Sequence, residues 1–376
     1  MPTYPTYKLG EIIDKVPIEF KVKQKDYLPK GKFPVVDQGQ DLIGGFVDDE
    51  SLLVKTELPI IVFGDHTKAK KFIDFPFVAG ADGTKIIKPK KDFFIEPKLF
   101  YWFLHCVKFP DKGYARHFQY LLKSDIAVPP LATQQAIVTR IETLFAELDK
   151  AVQHLRTAQQ QLKTYRQAVL NHWLNNDDGK WEMVKLGEVA EIKRGRSKHR
   201  PRNDKSLFGG KYPFIQTGEI REANGGTITT YTQTYSEKGL EQSRLWPKGT
   251  LCLTIAANIA ETAYLGFDAC FPDSVVGILA QEDKLNLDYF NFFIQLVKQE
   301  IENKASATAQ KNINVDFLEN LNIALPPLTE QQRIVKEIES RLSQATASET
   351  YIENALQQAE ALRQSILKKA FGGELV

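Results

Sequence analysis

The chain carries the same helical segment twice, and that repeat constrains its fold more than any local motif. Ala127-Val128-Pro129-Pro130-Leu131 precedes Gln134-Gln135, Ile137-Val138 and Ile141-Glu142. At an offset of 197 residues, Ala324-Leu325-Pro326-Pro327-Leu328 precedes Gln331-Gln332, Ile334-Val335 and Ile338-Glu339. Arg166-Gln167-Ala168-Val169-Leu170 returns as Arg363-Gln364-Ser365-Ile366-Leu367. A duplicated segment of this length implies two copies of one module and a pseudo-symmetric molecule. The likeness extends beyond the helices. Lys8-Leu9-Gly10-Glu11-Ile12 resembles Lys185-Leu186-Gly187-Glu188-Val189, and Phe103–Lys108 resembles Phe293–Lys298, at offsets of 177 and 190. The rise in offset from 177 to 197 places about twenty extra residues in the second copy.

Each half reads as a variable globular block followed by a long periodic one. The boundaries fall at 1–127, 128–174, 175–324 and 325–376. The globular blocks differ almost everywhere while the periodic blocks agree, which suggests two different ligands presented on one frame.

The periodic blocks predict helices built to pair. Ile141, Leu144, Leu148, Val152, Leu155, Leu162, Tyr165 and Val169 keep helical spacing. So do Ile338, Leu342, Ala345, Ile352, Leu356, Ala359, Ile366 and Ala370. Such a seam drives helices to pack along their length. No Pro or Gly interrupts 132–174 or 329–371, so each helix runs roughly 60–65 Å at 1.5 Å per residue. The Pro-Pro before each run marks an entry from extended chain. Thr329 with Gln332 fits a capping box, and Thr133 is the corresponding cap in the first copy, where Ala132 replaces Thr329. Two seam positions break the pattern: Glu349 stands in register with Val152, and Gln159 with Leu356. One arrangement is an ordinary three-helix bundle in each domain. The favoured one is an antiparallel coiled coil of the two repeats, with one globular block at each end.

Composition sets the class. A chain of 376 residues with 43% apolar content holds two or three domains with real cores. The net charge of +2 argues for no partner, so any nucleic-acid signal must be local. Cys106, Cys252 and Cys270 lack metal-ligand spacing and read as buried free thiols of a reducing compartment. The start shows no basic region followed by an apolar core, and the longest apolar run, 99–107, is too short to span a bilayer. The expectation is a cytoplasmic protein with no membrane contact.

Both globular blocks are mixed α/β (α+β) by pattern. Phe33–Val36, Leu58–Phe63, Tyr212–Ile215, Gly226–Tyr231 and Thr250–Ile255 read as strands bounded by turn residues. The segments 100–108 and 289–298 read as amphipathic helices. The second block holds seven basic residues in thirteen: Lys193, Arg194, Arg196, Lys198, Arg200, Arg202 and Lys205. Gly195, Ser197 and Pro201 among them make this a loop. A basic run is most often a solvated surface, but Arg and Lys there also neutralise phosphates and reach base edges.

The order and duplication of these elements resemble the specificity subunits of type I restriction–modification systems. In that family two target recognition domains alternate with two long repeat helices. The matching elements are the Lys-Leu-Gly-Glu starts at Lys8 and Lys185, the Pro-Pro-Leu entries with their Gln-Gln-Ile-Val helices, and the ending Ala370-Phe371-Gly372-Gly373-Glu374-Leu375-Val376. Pro34-Val35-Val36-Asp37-Gln38-Gly39-Gln40 with Gly44-Gly45-Phe46 resembles the family's early recognition-domain strand and turn. Ala309-Gln310-Lys311-Asn312-Ile313-Asn314 resembles its late one. The first block departs there, with Lys112-Gly113-Tyr114-Ala115-Arg116-His117.

The resemblance implies a DNA-reading subunit without chemistry of its own. It would take a two-part target in double-stranded DNA, one half-site per recognition domain, with the coiled coil setting the unread spacer. It would dock two DNA adenine methyltransferase subunits and, through them, the restriction subunits. S-adenosylmethionine, ATP and Mg are expected on those partners, and no cofactor, metal or catalytic residue on this chain. Accordingly, no Asn-Pro-Pro-Tyr or Asp-Pro-Pro-Tyr segment and no phosphate-binding Gly-rich loop occurs. The six histidines form no ligand pattern. His66 next to Asp65 is a loop residue for a polar or DNA contact before it is half of a catalytic pair. Base readout needs Arg for guanine and Asn or Gln for adenine. The DNA-binding candidates are Lys23, Gln38, Gln40, His66, Lys68 and Arg116 in the first block. In the second they are Arg196, Lys198, Arg200, Gln216, Arg244, Asn258 and Lys311. The competing reading is a coiled-coil scaffold whose two globular blocks bind proteins.

Overall fold

A computed structural model describes residues 4–110, 115–175, 179–256, 258–306 and 313–375. It contains two compact units, Met1–Thr157 with Ile352–Val376, and Ala158–Tyr351. Two helices of 44 residues each, Leu131–Leu174 and Leu328–Phe371, contribute one end to each unit.

The first unit is built on β1 (Thr6–Lys8), β2 (Ile13–Lys15), β3 (Phe33–Val36), β4 (Gly45–Val47), β5 (Ile60–Gly64), β6 (Lys70–Ile73), β7 (Val78–Ala79), β8 (Thr84–Pro89) and β9 (Asp125–Ala127). They form sheets ordered β2-β8-β5-β6, β4-β3-β7 and β1-β9. All five residues of β5 are buried, as a strand covered on both faces requires. Ile61 and Phe63 join a core with Leu9, Phe100, Leu104 and Phe118. Ile60 and Val62 point the other way, to Val36, Ile73, Phe77 and Ile86. The helix Pro97–Leu104 closes the first core, its start capped by the Glu96 carboxylate, which accepts from the Leu99 amide at 2.6 Å.

The second unit repeats this plan with β10 (Glu182–Lys185), β11 (Ala190–Arg194), β12 (Phe208–Phe214), β13 (Thr227–Ile228), β14 (Gln233–Tyr235), β15 (Leu251–Thr254), β16 (Thr262–Leu265), β17 (Val275–Ala280) and β18 (Asn322–Leu325). The main sheet is β11-β17-β15-β16-β13, with pairs β12-β14 and β10-β18. β15 stands where β5 does and is buried on both faces in the same way, Leu251 and Leu253 in one core and Cys252 in another. The repeated Leu-Gly has one cause in both units. Leu9 and Leu186 are fully buried, and a Cβ on Gly10 or Gly187 would lie 3.2 Å from Leu122 O or Glu319 Cβ.

The long helices pack antiparallel, as seen in each unit separately. In the first, Ile137, Ile141, Phe145 and Leu148 share a core with Ala359, Ile366, Leu367 and Ala370. In the second, Val169, Leu170 and Leu174 share one with Ile334, Val335 and Ile338. Each buried aliphatic side chain contributes about 1.5–3 kcal/mol. Glu349, out of pattern in the seam, accepts from Arg166 Nε at 3.2 Å and Nη2 at 2.8 Å, and Arg166 also donates to Thr346 Oγ1 at 2.7 Å.

Several local expectations are corrected. The Thr329–Gln332 capping box and the Thr133 cap do not form. The helices begin at Leu328 and Leu131, so Thr329 and Thr133 lie inside the first turn. There Pro327 O accepts from Gln331 N at 3.0 Å, and Pro130 O from Gln134 N at 3.0 Å. Tyr165 leaves the seam and stands 39% exposed, because it follows helical spacing but not the buried stripe. Gly226–Tyr231 yields only the two-residue strand β13. Lys193 and Arg194 belong to β11 rather than to the basic loop. Cys106 is only partly buried, whereas Cys252 and Cys270 are buried; all three are free.

What locks each domain onto its helix is a glutamine. Gln134 Nε2 donates to Pro129 O (2.8 Å) and Phe94 O (3.2 Å), and its Oε1 accepts from Glu96 N (2.8 Å). Gln331 does the same with Pro326 O, Lys284 O and Asn286 N, each at 2.8 Å. Both are buried, whereas Gln135 and Gln332 are exposed.

Candidate nucleic-acid interface

In each unit one hairpin turn collects polar side chains at the end of the main sheet. In the first it joins β5 to β6. Gly64 N donates to Ala69 O and Lys68 N to Gly64 O, both at 2.9 Å, and Lys68 turns left-handed at φ +61°. Thr67 Oγ1 donates to Gln38 O, His66 N to Gln38 Oε1 (3.4 Å), and Gln40 Nε2 to Thr67 O (3.5 Å). His66 Nδ1 lies 3.3 Å from Ala115 O, beside the exposed Arg116. The turn thus gathers Gln38, Gln40, His66, Lys68 and Arg116. Lys23 is exposed on a separate segment, whose Val22 bridges Gly80.

Asp65 anchors this arrangement, a role that sequence reasoning missed. Its Oδ1 accepts from Phe118 N and its carbonyl from His117 N, both at 2.8 Å, while its own amide donates to Gly83 O at 2.8 Å. Behind Gln38 lies a second, partly buried support. Asp37 accepts from Tyr27 OH (3.2 Å) and Gly39 N (2.8 Å) and pairs with Lys71 Nζ at 3.5 Å. Burial pushes the Lys71 ammonium below its usual range, against the pull of Asp37, and burial with the Asp37 charge pushes the Tyr27 phenol up. Gly39 is a local partner, but Tyr27 stands 10 residues from Asp37 and Lys71 lies on β6, so no short motif marks the whole network.

The second unit builds the equivalent turn from different residues, between β15 and β16. Thr254 N donates to Glu261 O and Ala260 N to Thr254 O, both at 2.9 Å, with Ala260 at φ +59°. Thr254 Oγ1 donates to the carbonyl of Asn258, so Asn258 sits in this turn. Ile313 N donates to Ile255 O at 3.1 Å, the counterpart of His117 on Asp65. Here Asn314 caps its own short helix, accepting from Phe317 N at 2.8 Å. The same scaffold therefore carries unlike side chains. Lys311 lies outside the described residues.

The basic loop lies beside β12 and β14. Arg202 pairs with Asp273 at 2.7 Å, and Arg194 donates to the Asp273 carbonyl. His199 Nε2 meets Asp204 Oδ2 at 2.8 Å; the Ser206 amide and hydroxyl, then His199, hold the Asp204 carboxyl well below the usual carboxylate range. Arg200 Nη1 donates to Ser197 O (2.7 Å) and His199 O (2.8 Å), which stiffens its own loop. Arg196 and Lys198 are exposed. Arg244 is held by other partners: its guanidinium lies 4.0 Å over the Trp246 ring and 3.5 Å from Glu191, while its neighbour Ser243 Oγ donates to Arg196 O at 3.0 Å. An open groove of about 750 Å³ runs alongside, lined by Arg202, Lys205, Phe208, Tyr235, Gln216 and Gln233. Cationic heads over an aromatic and amide lining suit a polyanion whose bases are to be distinguished. Among the described residues no group of His, Cys, Asp and Glu could hold a metal ion, and no helix is long and apolar enough to cross a membrane.

Comparison with known proteins places this geometry in context. A family profile described as type I restriction modification DNA specificity domain matches residues 1–155 and 178–358. The EcoR124I/EcoR124II specificity subunit of Escherichia coli is 25% identical over 358 residues, covering 87% of this chain and 84% of the relative. The EcoKI specificity subunit of Escherichia coli K12 is 26% identical over 270 residues, covering 67% of this chain and 58% of the relative's length. Among solved structures, a chain described under complex assembly and conformational transition of the type I R-M system shares the fold over 100% of this chain and 99% of its own, with a TM-score of 0.77 and 20% identity. The HsdS subunit from Thermoanaerobacter tengcongensis does so with a TM-score of 0.60 and 21% identity, over 100% and 98%.

Proposed function

The chain belongs to the type I restriction modification DNA specificity family, and from that membership we propose that it is the subunit that reads the target of a type I restriction–modification complex. It binds double-stranded DNA, takes one short half-site on each recognition domain and leaves the bases between them unread. Its recognition domains are residues 1–127 and 175–324, its repeat helices 128–174 and 325–376. The chain does no chemistry. Two DNA adenine methyltransferase subunits dock on it, restriction subunits join through them, and S-adenosylmethionine, ATP and Mg are bound by those partners, in the cytoplasm.

The observation that carries this reading is the pair of equivalent hairpin turns with unlike side chains. His66 and Lys68 occupy one, with Gln38 bonded to it, and Asn258 with Thr254 the other. Duplicated topology with diverged polar tips is what two different half-sites on one frame require. Lys23, Gln40 and Arg116 in the first domain, and Arg196, Lys198, Arg200, Gln216, Arg244 and Lys311 in the second, are the further contacts. A protein-binding scaffold gains nothing from a basic loop beside an amide-lined groove.

The test is a genome-wide map of N6-methyladenine in cells carrying this chain with its cognate methyltransferase subunit, against cells lacking only this chain. A two-part motif that disappears with the chain is the expected result. An active methyltransferase whose motif does not depend on the chain would refute the reading.

A further inference from the structure

The groove in the second unit contains a pair of side-chain amides bonded to each other. Gln216 Nε2 donates to Gln233 Oε1 at 3.0 Å. Gln216 follows β12 and Gln233 opens β14, where Phe214 and Gln233 are register partners. Glu219 ties the two segments together: its carboxylate accepts from Gln216 N at 3.1 Å and from Thr232 Oγ1 at 2.7 Å. Beneath them Phe214 stacks on Tyr235, ring centres 4.1 Å apart. Both amides are nevertheless exposed. The bond between the two exposed amides, on segments that Glu219 ties together, removes part of the side-chain freedom that binding would otherwise take.

We propose that Gln233 reads an adenine on its major-groove edge, in the half-site taken by the second unit, and that Gln216, one of the contacts named above, acts at that base pair through Gln233, by fixing which way the Gln233 amide faces. The inference rests on the reading of the chain as a DNA specificity subunit. After accepting from Gln216, Gln233 Oε1 keeps a lone pair, and Gln233 Nε2 keeps both protons. Adenine offers the N6 amine as donor and N7 as acceptor, so the free edge of Gln233 meets it with two bonds. Guanine places O6 where the amine would be, setting acceptor against acceptor. Lys205, exposed in the same groove, supplies a phosphate contact that orients the duplex without choosing the base.

The test uses the full chain in complex with its cognate methyltransferase subunits, read by sequencing the methylated motif. Gln233→Ala should relax one A·T position in one half-site, with roughly tenfold or greater loss of discrimination, and leave the other half-site intact. Gln233→Glu, which can only accept, should move that position toward cytosine, whose N4 amine donates. Gln216→Ala should relax the same position and no other. A wild-type motif that Gln233→Ala leaves unchanged at every base overturns the proposal while sparing the reading beneath it. Absence of any wild-type motif, with an active methyltransferase, overturns that reading instead.

Discussion

Gln134 and Gln331 each satisfy three main-chain groups with one side chain, and that makes them the most consequential polar residues of the repeat. Gln134→Ala should cost the first unit about 2 kcal/mol, because it leaves Pro129 O buried without that bond and takes a partner from Glu96 N and Phe94 O. Gln135→Ala, one residue on and exposed, should stay within about 0.5 kcal/mol; denaturant melts of the full chain measure both. His105 supplies a pH signature. Burial, with Lys70 and Arg363 adding, lowers its imidazole from 6.5 to about 4, and its Nε2 is buried without a hydrogen-bond partner. The unfolded histidine takes up a proton near 6.5 and the folded one only near 4, so the unfolded state binds more protons between those values. First-unit stability should therefore fall as the pH drops from 6.5 to 4, by up to about 3 kcal/mol. His105→Gln should flatten that slope; an equally steep slope in the variant would refute the assignment. The sequence displayed the Gln-Gln repeat openly, yet it could not say which glutamine is buried, because both fit a helix start. Asp65 reads in the sequence only as a neighbour of His66, since its partner Phe118 stands 53 residues away. Gln233 went unremarked in a run of Thr and Tyr, because its meaning comes from a partner across a strand pair.

The long helices were the most legible elements, since 3.6-residue periodicity over 44 residues leaves no other regular structure. The seam's defect is where sequence and structure part. Glu349 looked like a lapse in the apolar stripe, but Arg166 reaches it with two nitrogens, both side chains about 30% exposed. A double-mutant cycle of Arg166→Met and Glu349→Val, the latter copying the residue at 152, should give a coupling of about 1 kcal/mol. A coupling near zero would mean that solvent screens the pair completely. The pseudo-equivalent Arg363 pairs with Asp149 and lies 4.5 Å over the Phe145 ring, so the repeat keeps the Arg–carboxylate pair but takes the carboxylate from a different register position and adds a ring contact. Strand positions in the globular blocks were legible where apolar runs are continuous, as at β5 and β15. The short β13 was legible in place but not in length, because two residues, Thr227 exposed and Ile228 buried, carry no period.

At the scale of the whole molecule, chain order and compact units do not coincide. The second unit is one continuous stretch, Ala158–Tyr351, whereas the first needs Ile352–Val376 to complete its core. Deleting Ile352–Val376 should remove Ile366, Leu367, Ala370 and Phe371 from their contacts and unprotect β5 amides to hydrogen exchange, while β15 amides stay protected. Loss of protection at both strands, or at neither, would contradict the division. The duplicated sequence announced two modules but not this division, since which helix ends enclose which core depends on contacts more than two hundred residues apart, such as Arg363 with Asp149. The division also fixes an order of events on the ribosome. Domains generally close in the order in which they emerge. Here Met1–Thr157 is translated before Ala158–Tyr351 yet must wait for Ile352–Val376 to complete its unit, while the second unit can close without that segment. The nascent first unit therefore keeps part of its apolar surface uncovered until Ile352–Val376 has emerged, and over that interval it is open to chaperone binding.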